Sequence, residues 1–315
     1  MSLPLEDDFL LRIKTNNYSP RTLFNYERDL ATFEYFLNKD AQVDFQKITK
    51  RTLELYKAYL VSEDRKTAQG SKSAVQLSAG SVNRALSSLR SYFKYLVDMD
   101  YKLPVAPTSI KLLKMPRTHT RVAEFDSLVE LIESPIKFEK NKRIALRNRV
   151  MLEVLFSTGM RISELLSLNR DQINETGKIF IRGKGKKERF VYLTDRAKVL
   201  LKDYLLTRAD NDNPALFVPY SGKNSGQSKA RISSNYLQMK IKRYKELLGI
   251  VVPTSAHSFR HGFATYLAEQ GANPAAIQIL LGHESLQTTT RYVHASDKYA
   301  ESSHKKFHPL KDLKG

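Results

Sequence analysis

Pro104, Pro107 and Pro116 break up the stretch from Leu103 to Thr118, and neither a regular helix nor a central strand runs through such spacing. The chain of 315 residues is therefore expected to fold in pieces: a first domain over 1–103, a linker over 104–118, a second domain over 119–296 and a tail over 297–315. Each main piece is long enough to bury its own core. Before the prolines the pattern is helical. Ser19-Pro20 is a cap followed by a first-turn proline, and Leu23, Tyr26, Leu30, Phe33 and Leu37 follow at three- and four-residue steps. Thr49 opens a second helix with Leu53, Tyr56, Tyr59 and Leu60 on one face. A third runs from about Ser81 to Met99 behind Val82, Leu86, Leu89, Phe93 and Leu96. The polar run from Ser62 to Gly80 reads as a flexible loop.

Beyond the prolines, helices are expected at Ala123–Glu133, Lys142–Ser157, Asp195–Thr207, Ser233–Leu248, His257–Glu269 and Pro274–Leu281. Between them, Lys178–Arg182 and Glu188–Leu193 flank the turn Gly183-Lys184-Gly185-Lys186 and predict one antiparallel hairpin. The fold class is thus mainly α with a small antiparallel β-sheet, in two domains.

Charge narrows the partner. Fifty-two Lys and Arg stand against 33 Asp and Glu, for a net +19. Residues 1–117 carry 19 basic and 13 acidic side chains, a net +6, which leaves +13 for the rest. Both parts are basic, as two modules sharing one polyanion would be. The cations are spread out and not gathered beside an amphipathic anchor, and no apolar run approaches a membrane span, so no membrane partner is expected. The amino terminus, MSLPLEDDFLLRIK, lacks the pattern of a secretory signal. With no cysteine in the chain, disulfides and thiolate chemistry are excluded, which fits a reducing compartment.

Four segments carry the chemistry: STGMRISELLSL with Arg161, IRGKGKKERFVYL with Lys184, HSFRHGFAT with His257 and Arg260, and LLGHESLQTTTRYVH with His283 and Tyr292. Singly each has an ordinary structural role open to it: a surface arginine, a hairpin tip, a helix cap, a core aromatic. Together they suit a phosphodiester. Two arginines can hold the nonbridging oxygens bidentately as charge builds in the pentavalent transition state. An imidazole can take the attacking proton or bond the phosphate. A lysine can protonate the departing 5′ oxygen, and a tyrosine hydroxyl can attack reversibly, conserving the energy of the broken ester so that resealing requires no ATP.

These segments resemble, in order, the boxes of the tyrosine recombinase (phage integrase) family, Xer branch in particular. The resemblance extends to NNYSPRTLFNYERDLATFEYFL, similar to the start of the family's amino-terminal DNA-binding domain, and to HKKFHPLK near the end. It implies a C-shaped DNA clamp built from a helical, SAM-like core-binding domain and a catalytic domain. By residue, it implies that Arg161 and Arg260 clamp the phosphate and that Lys184 is the general acid. His257 becomes general base or phosphate donor, His283 a second donor, and Tyr292 the nucleophile that forms a 3′-phosphotyrosyl link. Glu164, one turn after Arg161, is read as its support. The implied partners are double-stranded DNA with a specific recombination site, three further copies in a tetramer that passes through a Holliday junction, and a second recombinase or a DNA translocase. Neither cofactor nor metal is expected. Chromosome-dimer resolution and mobile-element integration share this chemistry. The 62–80 loop is longer than the family usually has, while the lack of an added amino-terminal arm fits the simple Xer plan.

Some assignments stay open. Lys186 and Lys187 compete with Lys184, which the flanking glycines favour by allowing close approach to DNA. Tyr266 and Tyr299 lie outside the matching box. His257 and His261 have a zinc-compatible i, i+4 spacing, but no third ligand is evident and Arg260 would set a cation beside the metal. In the first domain Arg21, Arg84, Arg90 and Lys94 are expected to grip DNA. The rival functions are a type IB topoisomerase and a noncatalytic DNA-binding regulator.

Overall fold

Capping chemistry sets where the first helices begin. In the computed structural model, which describes residues 2–63, 65, 76–115, 123–182, 188–208 and 213–282, Ser19 Oγ accepts from the Thr22 N–H and α2 (Pro20–Tyr35) starts on Pro20. Thr49 and Thr52 close a reciprocal box at the head of α3 (Lys50–Val61). Ser78 caps α4 (Ala79–Asp98), three residues upstream of the expected Ser81, so that Gly80 lies inside the helix. An additional helix, α1 (Glu6–Thr15), has no side-chain cap but carries Glu6, Asp7 and Asp8 in its first turn and Arg12 and Lys14 in its last, the order the helix dipole favours.

The chain divides into two compact units, 1–118 and 119–315. In the first, α1 to α4 surround a core that includes Leu30, Phe33, Leu53, Tyr56, Leu86, Phe93 and Leu96. Phe33 is fully buried, its ring 4.8 Å from Tyr56 and 6.4 Å from Phe93. Residues 104–115 do not hang free of this unit. Ile110 is buried in its core, and Asn83 holds the Leu113 backbone at both its N–H (2.7 Å) and its carbonyl (3.0 Å).

In the second unit the central helix is α6 (Lys142–Thr158), packed against α5 (Phe125–Phe138), α8 (Asp195–Leu206) and α10 (Ala256–Glu269). The remaining elements are α7 (Ile162–Ser167), α9 (Ser234–Leu247) and α11 (Pro274–Leu281). Strands β1 (Lys178–Arg182) and β2 (Glu188–Tyr192) pair antiparallel, Phe180 opposite Phe190. Helix α5 runs past its expected end at Glu133 and through Pro135. The proline has no N–H for the Leu131 carbonyl, and the Ser134 hydroxyl donates to that carbonyl instead, at 2.7 Å. Among the described residues no helix is long and apolar enough to cross a membrane.

Replacing Phe33 by Ala removes the ring at the centre of the first core. We expect the full chain to lose about 3–5 kcal/mol of unfolding free energy in that unit, measured by urea denaturation followed by circular dichroism.

Candidate active site

Helix α6 ends on Gly159, whose φ of 61° is left-handed. A methyl group there would sit 2.3 Å from the Phe263 ring, so only glycine lets the chain turn this tightly under α10. The turn delivers Arg161 to the head of α7. Glu164 then folds back one turn: its carboxylate accepts from the Arg161 N–H at 2.7 Å and from Arg161 Nη1 at 2.9 Å. A second guanidinium completes the shell, with Arg189 Nη1 and Nη2 donating to the same carboxylate at 3.0 and 2.7 Å. Glu164 is 6% exposed and Arg189 8%. Burial alone would raise the Glu164 pKa, but the bonds from Arg189 and from Arg161 outweigh it and hold the carboxyl down at about 2.

Arg260 comes from α10, a helix capped by Ser255 and not by His257. Arg260 is 3% exposed. Its guanidinium donates to the Gly159 carbonyl at 2.9 Å and to the Leu281 carbonyl at 2.5 Å. Arg189 Nε donates to the neighbouring Leu280 carbonyl at 2.8 Å. Two cations therefore satisfy the terminal carbonyls of α11, where the helix dipole is negative. Arg161 remains the more open guanidinium, its side chain 38% exposed.

His257 lies in the first turn of α10, its ring edge-on to His261 at 4.2 Å. Its pKa is lowered, first by burial and then by the positive charges of Arg260 and Arg161. Groups from segments a hundred residues apart in sequence thus act on one imidazole. Of the competing tyrosines, Tyr266 has its hydroxyl engaged, donating to the Ala123 carbonyl at 2.8 Å. Lys184, Lys186, Lys187, His283, Tyr292 and Tyr299 lie outside the described residues.

In the first unit, Arg84 pairs with the buried Asp29, which also accepts from Ser88 Oγ at 2.9 Å, and Arg90 Nε donates to the Ile110 carbonyl at 3.1 Å. Both arginines thus have partners within the protein, whereas Arg21 and Lys94 are exposed. Sequence reasoning missed Arg189. The available signal was strand alternation: Arg189 shares a face of β2 with Val191, and that face is buried.

Two outcomes follow from these charges. Because Glu164 is lowered from 4.5 to about 2, its stabilisation is complete above pH 4.5 and is lost as pH falls through about 2. It amounts to on the order of 3 kcal/mol, and Glu164→Gln removes that acid dependence from unfolding curves taken between these limits. His257, observed by NMR in the DNA-free protein, titrates below 6.5, and Arg161→Ala moves its midpoint upward.

Comparisons with known proteins bear on the family of the chain. Residues 121–299 match the phage integrase family and residues 7–99 match the phage integrase N-terminal SAM-like domain. Tyrosine recombinase XerC of Lactobacillus delbrueckii subsp. bulgaricus is 30% identical, over 98% of this chain and 100% of that protein. XerC of Thermodesulfovibrio yellowstonii is 32% identical over 96% and 95%, and XerD of Oceanobacillus iheyensis 30% over 97% and 98%. The fold is shared with the XerH recombinase bound to palindromic difH substrate (TM-score 0.69, 24% identity, 93% of this chain and 81% of that one). It is shared also with a lambda integrase dimer bound to a COC′ core site (TM-score 0.69, 16% identity, 93% and 95%). The chain belongs to the phage integrase family of tyrosine recombinases, on its Xer-like branch, and is a site-specific DNA recombinase.

Proposed function

We propose that this recombinase cuts each strand of a specific double-stranded DNA site with Tyr292, leaving a 3′-phosphotyrosyl link and a free 5′ hydroxyl. Arg161 and Arg260 hold the scissile phosphate and offset the charge that builds in the transition state. Lys184 protonates the departing 5′ oxygen, His257 acts as general base or phosphate donor, and His283 bonds the phosphate. The observation that carries this reading is geometric: Arg161, held by Glu164, and Arg260, bonded to the Gly159 carbonyl in the turn that leads to Arg161, are gathered at one place, and His257 stands one turn before Arg260 on the same helix. Burial first, and then the charges of Arg260 and Arg161, lower the His257 pKa, which favours the neutral form that a base requires.

Resealing is the same step in reverse, with the 5′ hydroxyl of the exchanged strand as nucleophile. The first domain, with residues 104–115 packed onto it, sets its exposed Arg21 and Lys94 against the DNA backbone, while Arg84 and Arg90 brace that domain through Asp29 and the Ile110 carbonyl; the catalytic domain is taken as 119–296. Four copies exchange strands in pairs through a Holliday junction, and the tail 297–315 docks on the neighbouring copy around the ring. The enzyme acts on nucleoid DNA, in chromosome-dimer resolution or in integration and excision of a mobile element, alone or with a second recombinase or a translocase.

The test uses duplexes built from DNA fragments recovered with the protein from cells, nicked beside the cleavage position so that the released end diffuses away. Wild-type protein is expected to accumulate a covalent protein–DNA adduct, and Tyr292→Phe to form none. An adduct of undiminished yield in the Phe variant would remove Tyr292 as the nucleophile.

A further inference from the structure

Arg189 occupies an inward position of β2, level with Val191, where strand alternation calls for an apolar side chain. An ion pair buried in place of hydrophobic residues commonly gains a fold no stability. What Arg189 does gain is connection. Its guanidinium reaches two other elements at once: the Glu164 carboxylate at 3.0 and 2.7 Å, and the Leu280 carbonyl at 2.8 Å. Glu164 in turn holds both the backbone and the guanidinium of Arg161. Leu280 stands one residue before the end of α11, and in the sequence Gly282, His283 and Tyr292 follow. Strand β2 itself follows the segment that carries Lys184.

The approach of α11 to Arg189 is built into the chain. Gly282 has φ 64°, and a methyl group on it would fall 3.0 Å from Arg189 Cδ. The end of α11 can close on Arg189 because residue 282 has no side chain.

We propose that Arg189 is a positioning residue for strand cleavage. Acting through Glu164 and the Leu280 carbonyl, it keeps Arg161 and the end of α11 in fixed register, without itself touching DNA. The role rests on the proposed chemistry of Tyr292 and Arg161. A lysine cannot replace it, since a single ammonium lacks the planar fork that meets a carboxylate bidentately while a third N–H reaches a carbonyl.

The test compares the wild type with Arg189→Lys, Glu164→Gln and the double variant, using the nicked duplex above and an intact duplex of the same sequence. For Arg189→Lys, affinity for the intact duplex should stay within about twofold of wild type, while adduct formation slows by about 100-fold, the scale of a misplaced catalytic group. The double variant should be no more than about twofold slower than the slower single, because the pair acts as a unit. A merely structural role would instead lower affinity along with cleavage, and the two losses would multiply; either result overturns the proposal. If Arg189→Lys does not fold, Gly282→Ala, which presses on Arg189 Cδ, takes its place, and cleavage at the wild-type rate overturns the role. The two readings fail separately. A wild-type adduct that does not depend on Tyr292 rejects the parent chemistry, whereas a Tyr292-dependent adduct formed at the wild-type rate by Arg189→Lys rejects only the role of Arg189.

Discussion

The candidate site depends on one buried carboxylate shared by two guanidiniums. Glu164 receives four hydrogen bonds, one from the Arg161 backbone, one from its side chain and two from Arg189. With its lone pairs so occupied, the carboxylate stays ionised despite burial, and each donor is fixed by the others. The balance is asymmetric. Without either arginine the carboxylate is left partly unpaired in a poorly hydrated place, which costs more than the pair contributes. The arrangement therefore supplies definition of geometry at Arg161 more than it supplies stability.

A second constraint is that Arg260, a residue counted as chemical, is also architectural. It bonds the Gly159 carbonyl in the turn leading to Arg161 and the Leu281 carbonyl at the end of α11. Three segments distant in the chain converge on this side chain. His257 stands at the head of the helix that carries Arg260, and its pKa is lowered first by burial and then by the charges of Arg260 and Arg161.

Much of the fold was legible because its signals are local. Ser19-Pro20 and Thr49 cap where their residue types predict, and the stripes of α2, α3 and α4 face the core as their spacing requires. Leu30, Phe33, Leu53, Tyr56, Leu86 and Phe93 are buried, and Leu23, Tyr26 and Tyr59 are half-buried at its edge. Helix α1 escaped notice although its acidic first turn and basic last turn were in view, since only Phe9 and Ile13 mark its buried face. The site was legible as a set of boxes, not as contacts. That Arg189 completes the Glu164 shell depends on which face of β2 is buried, and packing decides that. In sequence Arg84 and Arg90 are expected to grip DNA, whereas in the fold two partners distant in the chain, the Asp29 carboxylate and the Ile110 carbonyl, engage them.

The Ser134 hydroxyl that serves the Leu131 carbonyl in place of the missing proline N–H has an evolutionary consequence. Pro135 can be exchanged for an ordinary residue at any time, because a restored N–H simply joins the hydroxyl at the same acceptor. Ser134 has no such freedom while Pro135 remains, since its loss strands a carbonyl on a residue that is fully buried. The two positions are therefore coupled in one direction only: the proline relies on the hydroxyl beside it, and the hydroxyl does not rely on the proline.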